Sequence, residues 1–181
     1  MTLVEESMNM SDIQPVAEPL TNNDGREPTV LPWAHARQRI DEARYYLLGT
    51  AHPNGRPHLR PVLAVWVGGA LYTTSGPQAR KGRNLDRDAR CSVAVTAADM
   101  HIVLDGLSSR VTDPGLLGII ADAYRAKYDW NVTVAGGEFD APYGAPTAGP
   151  PPYQPYEIRP TTVFGFVNDS ALGPSSTRWR F

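Results

Sequence analysis

From Tyr45 onward, apolar residues fall at every second position in short runs, each ended by residues that favour a tight turn. This period confines the chain to an antiparallel β architecture. The runs are Tyr45–His52, Pro57–Val67, Ala70–Ser75, Arg90–Ala97, His101–Thr112 and Tyr156–Val167. Pro53-Asn54-Gly55 parts the first two, because proline presets φ and Asn-Gly accepts positive φ at little steric cost. Gly68-Gly69 parts the next two. A parallel sheet needs a crossover helix after nearly every strand, and these gaps are too short for one. The expectation is a mainly β fold with inserted α, a small β-barrel decorated by helices.

Three inserts carry the helical period instead. Pro32 is a good first helical residue, and Trp33, Ala36, Ile40 and Ala43 follow at helical spacing up to the Tyr45-Tyr46 pair. Gly76-Pro77 stops a strand and a polar helix over Gln78–Asp88 takes over. Asp113-Pro114 caps a third helix, whose Leu116, Leu117, Ile120, Ala123, Tyr124 and Tyr128 form one apolar stripe. Residues 1–30 are polar without a period and read as a disordered N-terminal tail, which leaves 31–181 as one domain. Residues 136–155 hold four glycines and six prolines among twenty, the composition of a long loop that closes over a site or stands as a surface insertion.

Lys plus Arg number 17 against 19 for Asp plus Glu, so the formal charge of −2 provides no global field for a nucleic-acid backbone or an anionic membrane. Any anion site must be local, and the expected partner is a small molecule. One cysteine closes no intramolecular disulfide and builds no Cys-rich zinc site, which fits a reducing, cytoplasmic setting. No stretch has the length of a membrane span, and Met1 to Met10 carries two glutamates and no basic residue, unlike a secretory signal.

G-x-G-x-x-G, Walker, G-x-S-x-G and H-E-x-x-H patterns are all missing. His35, His52, His58 and His101 lack metal-ligand spacing, and Cys91 reads as a buried core residue, so no metal site is expected. What stands out is a cationic cluster. Alternation over Pro57–Val67 puts His58, Arg60, Val62, Ala64 and Trp66 on one face and Leu59, Leu63 and Val65 on the other, which makes Arg60 half-buried and in need of an anion. The next strand ends Tyr72-Thr73-Thr74-Ser75, and the helix after it opens with Arg80-Lys81 and continues through Arg83, Asn84 and Arg87. Hydroxyls, a helix start and paired cations are what a phosphate ester needs. On the opposing reading those cations merely offset Asp86 and Asp88 on a solvated helix. A nucleic-acid patch is a further reading, without the aromatic strand of a base-stacking platform.

Gly55-Arg56-Pro57-His58-Leu59-Arg60-Pro61-Val62-Leu63-Ala64-Val65-Trp66, then Leu71 to Ser75, then Arg80-Lys81-Gly82-Arg83-Asn84-Leu85 with Asp88-Ala89-Arg90, resembles the pyridoxamine 5′-phosphate oxidase-like split β-barrel superfamily. The resemblance covers about residues 31–181 and is nearest to its flavin/deazaflavin oxidoreductases, whose members often end in a tail like Thr177-Arg178-Trp179-Arg180-Phe181. It implies a six-stranded, FMN-binding-like split barrel acting as a homodimer, with the cofactor between subunits. Carried over, Arg60, Thr74, Ser75, Arg80 and Lys81 bind the cofactor's phosphate. Val62, Leu63, Ala64, Tyr72 and Thr73 lie along the ring, and Trp179 stacks at its edge or simply packs on the barrel. One departure is that the several spaced arginines which hold a pyridoxal substrate are missing from the C-terminal stretch.

The implied activity is hydride transfer between the deazaflavin coenzyme F420 and a small organic substrate, with no obligatory catalytic side chain; His58 and Tyr72 are candidate proton donors. FMN is the alternative cofactor, in a pyridoxamine-phosphate-oxidase-like enzyme. A non-catalytic cofactor-binding protein is the alternative of a different class.

Overall fold

The computed structural model describes residues 14–20, 27, 29–144, 149–172 and 175–181. Eleven strands and three α-helices follow one another: β1 (Val16–Pro19), α1 (Trp33–Glu42), β2 (Tyr46–Ala51), β3 (Pro57–Val62), β4 (Ala64–Val67), β5 (Ala70–Ser75), α2 (Arg80–Arg87), β6 (Arg90–Thr96), β7 (Met100–Arg110), α3 (Pro114–Tyr128), β8 (Thr133–Ala135), β9 (Glu138–Asp140), β10 (Gln154–Val167) and β11 (Thr177–Arg180). Nine strands form one sheet in the order β1-β11-β10-β7-β6-β2-β3, with β5 joined to β10 and β4 to β5. Among the described residues β3 is bonded only to β2 and β4 only to β5, so the chain changes partner at Leu63 and the ladder stays open there. That opening is the split of a split β-barrel.

The long strand β10 bends the sheet round. Its first part pairs with β5 and its last part with β11, while β7 accompanies it throughout. The register shifts between Pro160 and Thr162, where a bulge supplies the bend and tolerates a proline that cannot donate to a ladder. Gly106 lies opposite Pro160, and a Cβ there would stand 2.5 Å from the Arg159 carbonyl oxygen. The tight turns follow their chemistry: Gly68 and Gly69 both have positive φ, as the two-residue turn between β4 and β5 requires.

The strand expected over Pro57–Val67 is broken at Leu63. The Leu63 carbonyl accepts from Thr73 Oγ1 at 3.0 Å and from Tyr124 Oη at 3.2 Å, and Tyr128 Oη accepts from the Ala64 N–H at 3.2 Å. Two tyrosines of α3 thus take the backbone groups that a continuous ladder would have used. The alternation of faces survives the break. Val62, Ala64 and Trp66 enter the barrel core with Leu48, Val93, Leu104 and Ile158, whereas Val65 joins a second core under α3 with Tyr72, Leu117, Tyr124, Trp130 and Phe139.

The expectation of a disordered stretch over 1–30 is corrected at Val16–Pro19, which pairs antiparallel with β11. Glu18 accepts from Arg178 and lies near Arg180, so backbone pairing and charge order a segment too polar to fold alone. Residues 1–13, 21–26 and 28 of that stretch lie outside the described residues. The Gly/Pro-rich stretch is also more regular than expected. Gly136 and Gly137, both at positive φ, turn β8 into β9, and Phe139 and Tyr153 exchange backbone bonds and are fully buried. At the far end of the barrel α1 lays Trp33 against Trp66, Trp179 and Phe181, with ring centroids 5.0–5.8 Å apart. No helix among the described residues is long and apolar enough to cross a membrane.

Two predictions follow from this packing. Gly106→Ala must move the β10 backbone and should cost about 1–3 kcal/mol in denaturant unfolding. Asp99, held by Arg39 at 2.9 Å and standing 2.8 Å from His35 Nε2, has its pKa lowered to about 2, chiefly by the Arg39 hydrogen bonds. A depressed carboxyl stabilises the fold above its unfolded value near 3.9 and loses that contribution as pH falls toward the folded value. Stability curves between about pH 5 and 2 should therefore flatten in Asp99→Asn.

Candidate functional site

The cationic residues lie on β3 and at the start of α2. Helix α2 leaves the end of β5 and seats back on it. A Cβ on Gly82 would fall 2.7 Å from Ser75 Oγ and 3.3 Å from Tyr156 Oη, so only glycine lets the helix approach this closely. Asp86, one turn on, accepts from Arg110 Nε at 2.8 Å and from Tyr156 Oη at 2.9 Å, which fastens the helix to β7 and β10. Asp88 is engaged by Arg90, which donates to it from Nε at 3.0 Å.

These pairings decide between the two readings of α2. Asp86 on the helix and Asp88 at its C-cap are each engaged by an arginine outside the helix, Arg110 and Arg90, rather than by Arg80, Lys81 or Arg83. Among the described residues, none of those three has a hydrogen-bond or ion-pair partner for its side chain. Lys81 is the telling case. It is half-buried, no acid lies against it, and burial alone pushes its pKa down. The start of α2 has no capping side chain and no acid in its first turn, so its leading N–H groups also stand open. Buried Ser75 abuts this start and donates from Oγ to the Gly76 carbonyl at 3.2 Å, whereas half-buried Thr74 falls on the Tyr72 side of β5.

Across the split stands β3. Arg60 shares the face of His58 and Val62, but it lies on a strand free along one edge and is exposed, not half-buried as expected. Its guanidinium donates to its own neighbour's carbonyl, Leu59 O, at 2.7 Å. Arg60 and Arg80 both lower the pKa of the His58 ring, behind the larger effect of burial.

The remaining expected residues divide into two groups. Val62, Leu63, Ala64 and Thr73 flank the opening between β3 and β5: Val62 and Ala64 are buried on the barrel side, Leu63 is half-buried, and Thr73 is held to Leu63. Tyr72 turns to the other face. Its hydroxyl donates to buried Glu157 at 2.9 Å, and burial raises its pKa, so it offers no proton to the cradle. Trp179 is 0% exposed, donates from Nε1 to Leu31 O at 3.1 Å, and occupies space left by Gly165. Its ring is committed to the core and does not stand with the cradle.

The sequence pattern assigns no role to Asn84 and does not single out Thr50. Asn84 is buried beneath the cradle, donates to Thr50 Oγ1 at 2.9 Å and leaves Oδ1 without a partner. The available signal was a lone amide at helical spacing from Lys81 and beside apolar Leu85. No group of three His, Cys, Asp or Glu side chains that could hold a metal occurs among the described residues.

Cations without partners among the described residues thus lie beside a buried hydroxyl and an uncapped helix start, on an open-sided barrel. The pyridoxamine 5′-phosphate oxidase family matches residues 33–166, and the chain belongs to that family. Similar solved structures agree on the fold. A conserved hypothetical protein, Rv2991 of Mycobacterium tuberculosis, superposes with a TM-score of 0.60 at 19% identity, covering 78% of this chain and 88% of that one. An F420 reductase matches with a TM-score of 0.52 at 22% identity over 70% of this chain and 94% of its own. An FAD-binding protein of Mesorhizobium loti matches with 0.55 at 16% identity over 83% and 95% respectively. Heme-binding proteins share the fold as well. Among curated proteins, none matches by sequence.

Removing an uncompensated half-buried charge relieves the folded state. Lys81→Met should leave stability unchanged or raise it by up to about 1 kcal/mol in denaturant unfolding. A loss larger than that would mean that Lys81 serves the fold.

Proposed function

We propose that this protein is an oxidoreductase that holds the phosphoryl group of coenzyme F420 in the cradle between β3 and α2 and passes hydride between that coenzyme and a small organic substrate. The observation that supports it most is Lys81, a half-buried ammonium with no acid against it among the described residues, beside an uncapped helix start. Arg60, Arg80 and Lys81 supply charge, and Ser75 supplies a hydroxyl. Val62, Leu63, Ala64 and Thr73 are the residues that would border a flat ring along the split. Reduced F420 carries the hydride; the protein contributes position, exclusion of water and the field of its cations. FMN has the same phosphoryl chemistry and is the second choice.

The cradle is open along β3, and the outer face of the same sheet favours a second copy of the chain. One row across it runs Pro61, Leu47, Ala94, Val103 and Phe164, with Leu59, Leu107 and Phe166 nearby; Leu47, Leu59, Leu107 and Phe166 are 43–53% exposed. A groove of about 780 Å³ crosses this face past Gly49, Leu59, Ser92 and Leu107. Apolar area of this extent on a sheet is characteristic of a homodimer interface, and we read the working unit as that dimer.

The test is a side-by-side titration of purified protein with F420, followed by fluorescence, and with FMN, followed by absorbance. Binding of F420 at micromolar concentration with turnover of enone or quinone substrates is the expected result. Preference for FMN would move the assignment to the second cofactor, and binding without any turnover would make the protein a carrier. Arg60→Ala and Lys81→Ala should each weaken binding by roughly tenfold or more, with the fold intact. Unchanged affinity in both variants would remove the cradle.

A further inference from the structure

His58 sits two residues before Arg60 on β3, on the same face, and opposite Thr50 on β2. Its Nδ1 lies 3.3 Å from Thr50 Oγ1, which in turn accepts from Asn84 Nδ2 of α2 at 2.9 Å. Thr50 and Asn84 are both buried. The imidazole is thereby tied through two side chains to the helix that carries Lys81, and its Nε2 is left without a partner among the described residues.

Among the described residues no acid acts on this ring, and its charged neighbours are arginines. Arg60 stands on its own strand, Arg80 on α2, and His52 and Arg56 on the turn that joins β2 to β3. Arg87, at the far end of α2, is occupied with the Ala51 carbonyl, and Asp105, in the groove across β2, is engaged by Ser92. Burial first, and then the surrounding positive charge, hold the imidazole below the ordinary histidine range. An anion placed among these cations cancels the second influence and supplies an acceptor for a ring N–H. The same ring then favours its protonated form.

We propose that His58 is a further ligand of the phosphoryl group bound in the cradle, and that it takes up one proton from solvent as that group arrives. Only the imidazole changes, to imidazolium; no bond of the cofactor is made or broken. The inference rests on the proposed function, since it needs a phosphoryl group in the cradle. The sign follows from linkage: the bound-state pKa of His58 exceeds its free-state pKa. Affinity therefore strengthens as pH falls through the bound-state value and levels off below the free-state value.

Calorimetric titration with FMN and with F420 near pH 7, in buffers of different ionisation enthalpy, counts the protons taken up. The expected result is uptake of up to about one proton by the wild-type protein and none by His58→Gln. The variant should bind about tenfold more weakly than wild type near pH 6.5 and within about twofold of it near pH 8.5, where the imidazole is neutral in both states. Binding of either cofactor by the wild type without proton uptake, or uptake that persists in His58→Gln, overturns this inference and leaves the proposed function standing. Failure of both cofactors to bind overturns the two together.

Discussion

The seating of α2 against the ends of β5 and β10 is the constraint on which the site depends. Gly82 sets how near the helix comes to Ser75, and Asp86 locks the approach through Arg110 and Tyr156. That lock has an electrostatic consequence. It removes Asp86 from its own helix's charge balance, as Arg90 removes Asp88, and Arg80, Lys81 and Arg83 are left without counter-charge beside an open helix start. A half-buried ammonium with no acid against it costs stability, and here that cost falls at the start of α2, beside the end of β5.

The split has its own cause. Tyr124 and Tyr128 of α3 hold the backbone around Leu63 and Ala64, which ends β3, starts β4 and leaves one edge of β3 free. The two hydrophobic cores on either side of β4 and β5 keep the lips of this opening apart: α1 and α2 close the barrel core, whereas α3 and the β8–β9 hairpin close the other. The stretch that joins the hairpin to β10 is anchored in the same way, since Phe139 and Tyr153 are core residues and Tyr143 donates to the Asp129 carbonyl at 2.8 Å. Its described part supports α3.

Much of this was legible in the sequence, for identifiable reasons. Period-two runs and Gly-rich turns located β2, β5, β6, β7 and β10 within a residue or two, and the apolar spacing of Trp33, Ala36 and Ile40 gave the buried face of α1. What escaped depended on partners distant in the chain. The break at Leu63 is made by tyrosines some sixty residues later, and Val16–Pro19 orders only against β11. The candidate cluster of Arg60, Thr74, Ser75, Arg80 and Lys81 came from the residue pattern and from the resemblance alike, but alternation alone overstated the burial of Arg60, because nothing in the local pattern says that β3 is an edge strand. Trp179 was equally ambiguous from its tail motif, and its burial follows from the space left at Gly165. Asn84 and Thr50 were missed because a helix residue and a strand residue far apart in sequence form one buried link.

A crystal structure of the protein with FMN or F420 bound tests the central claim most directly. The account predicts that the phosphoryl oxygens lie within about 3 Å of Lys81 Nζ and of the leading N–H groups of α2, with the Arg60 guanidinium turned from Leu59 O toward them. A phosphoryl group bound elsewhere, with Lys81 and Arg60 unmoved and still without an anion, would contradict it.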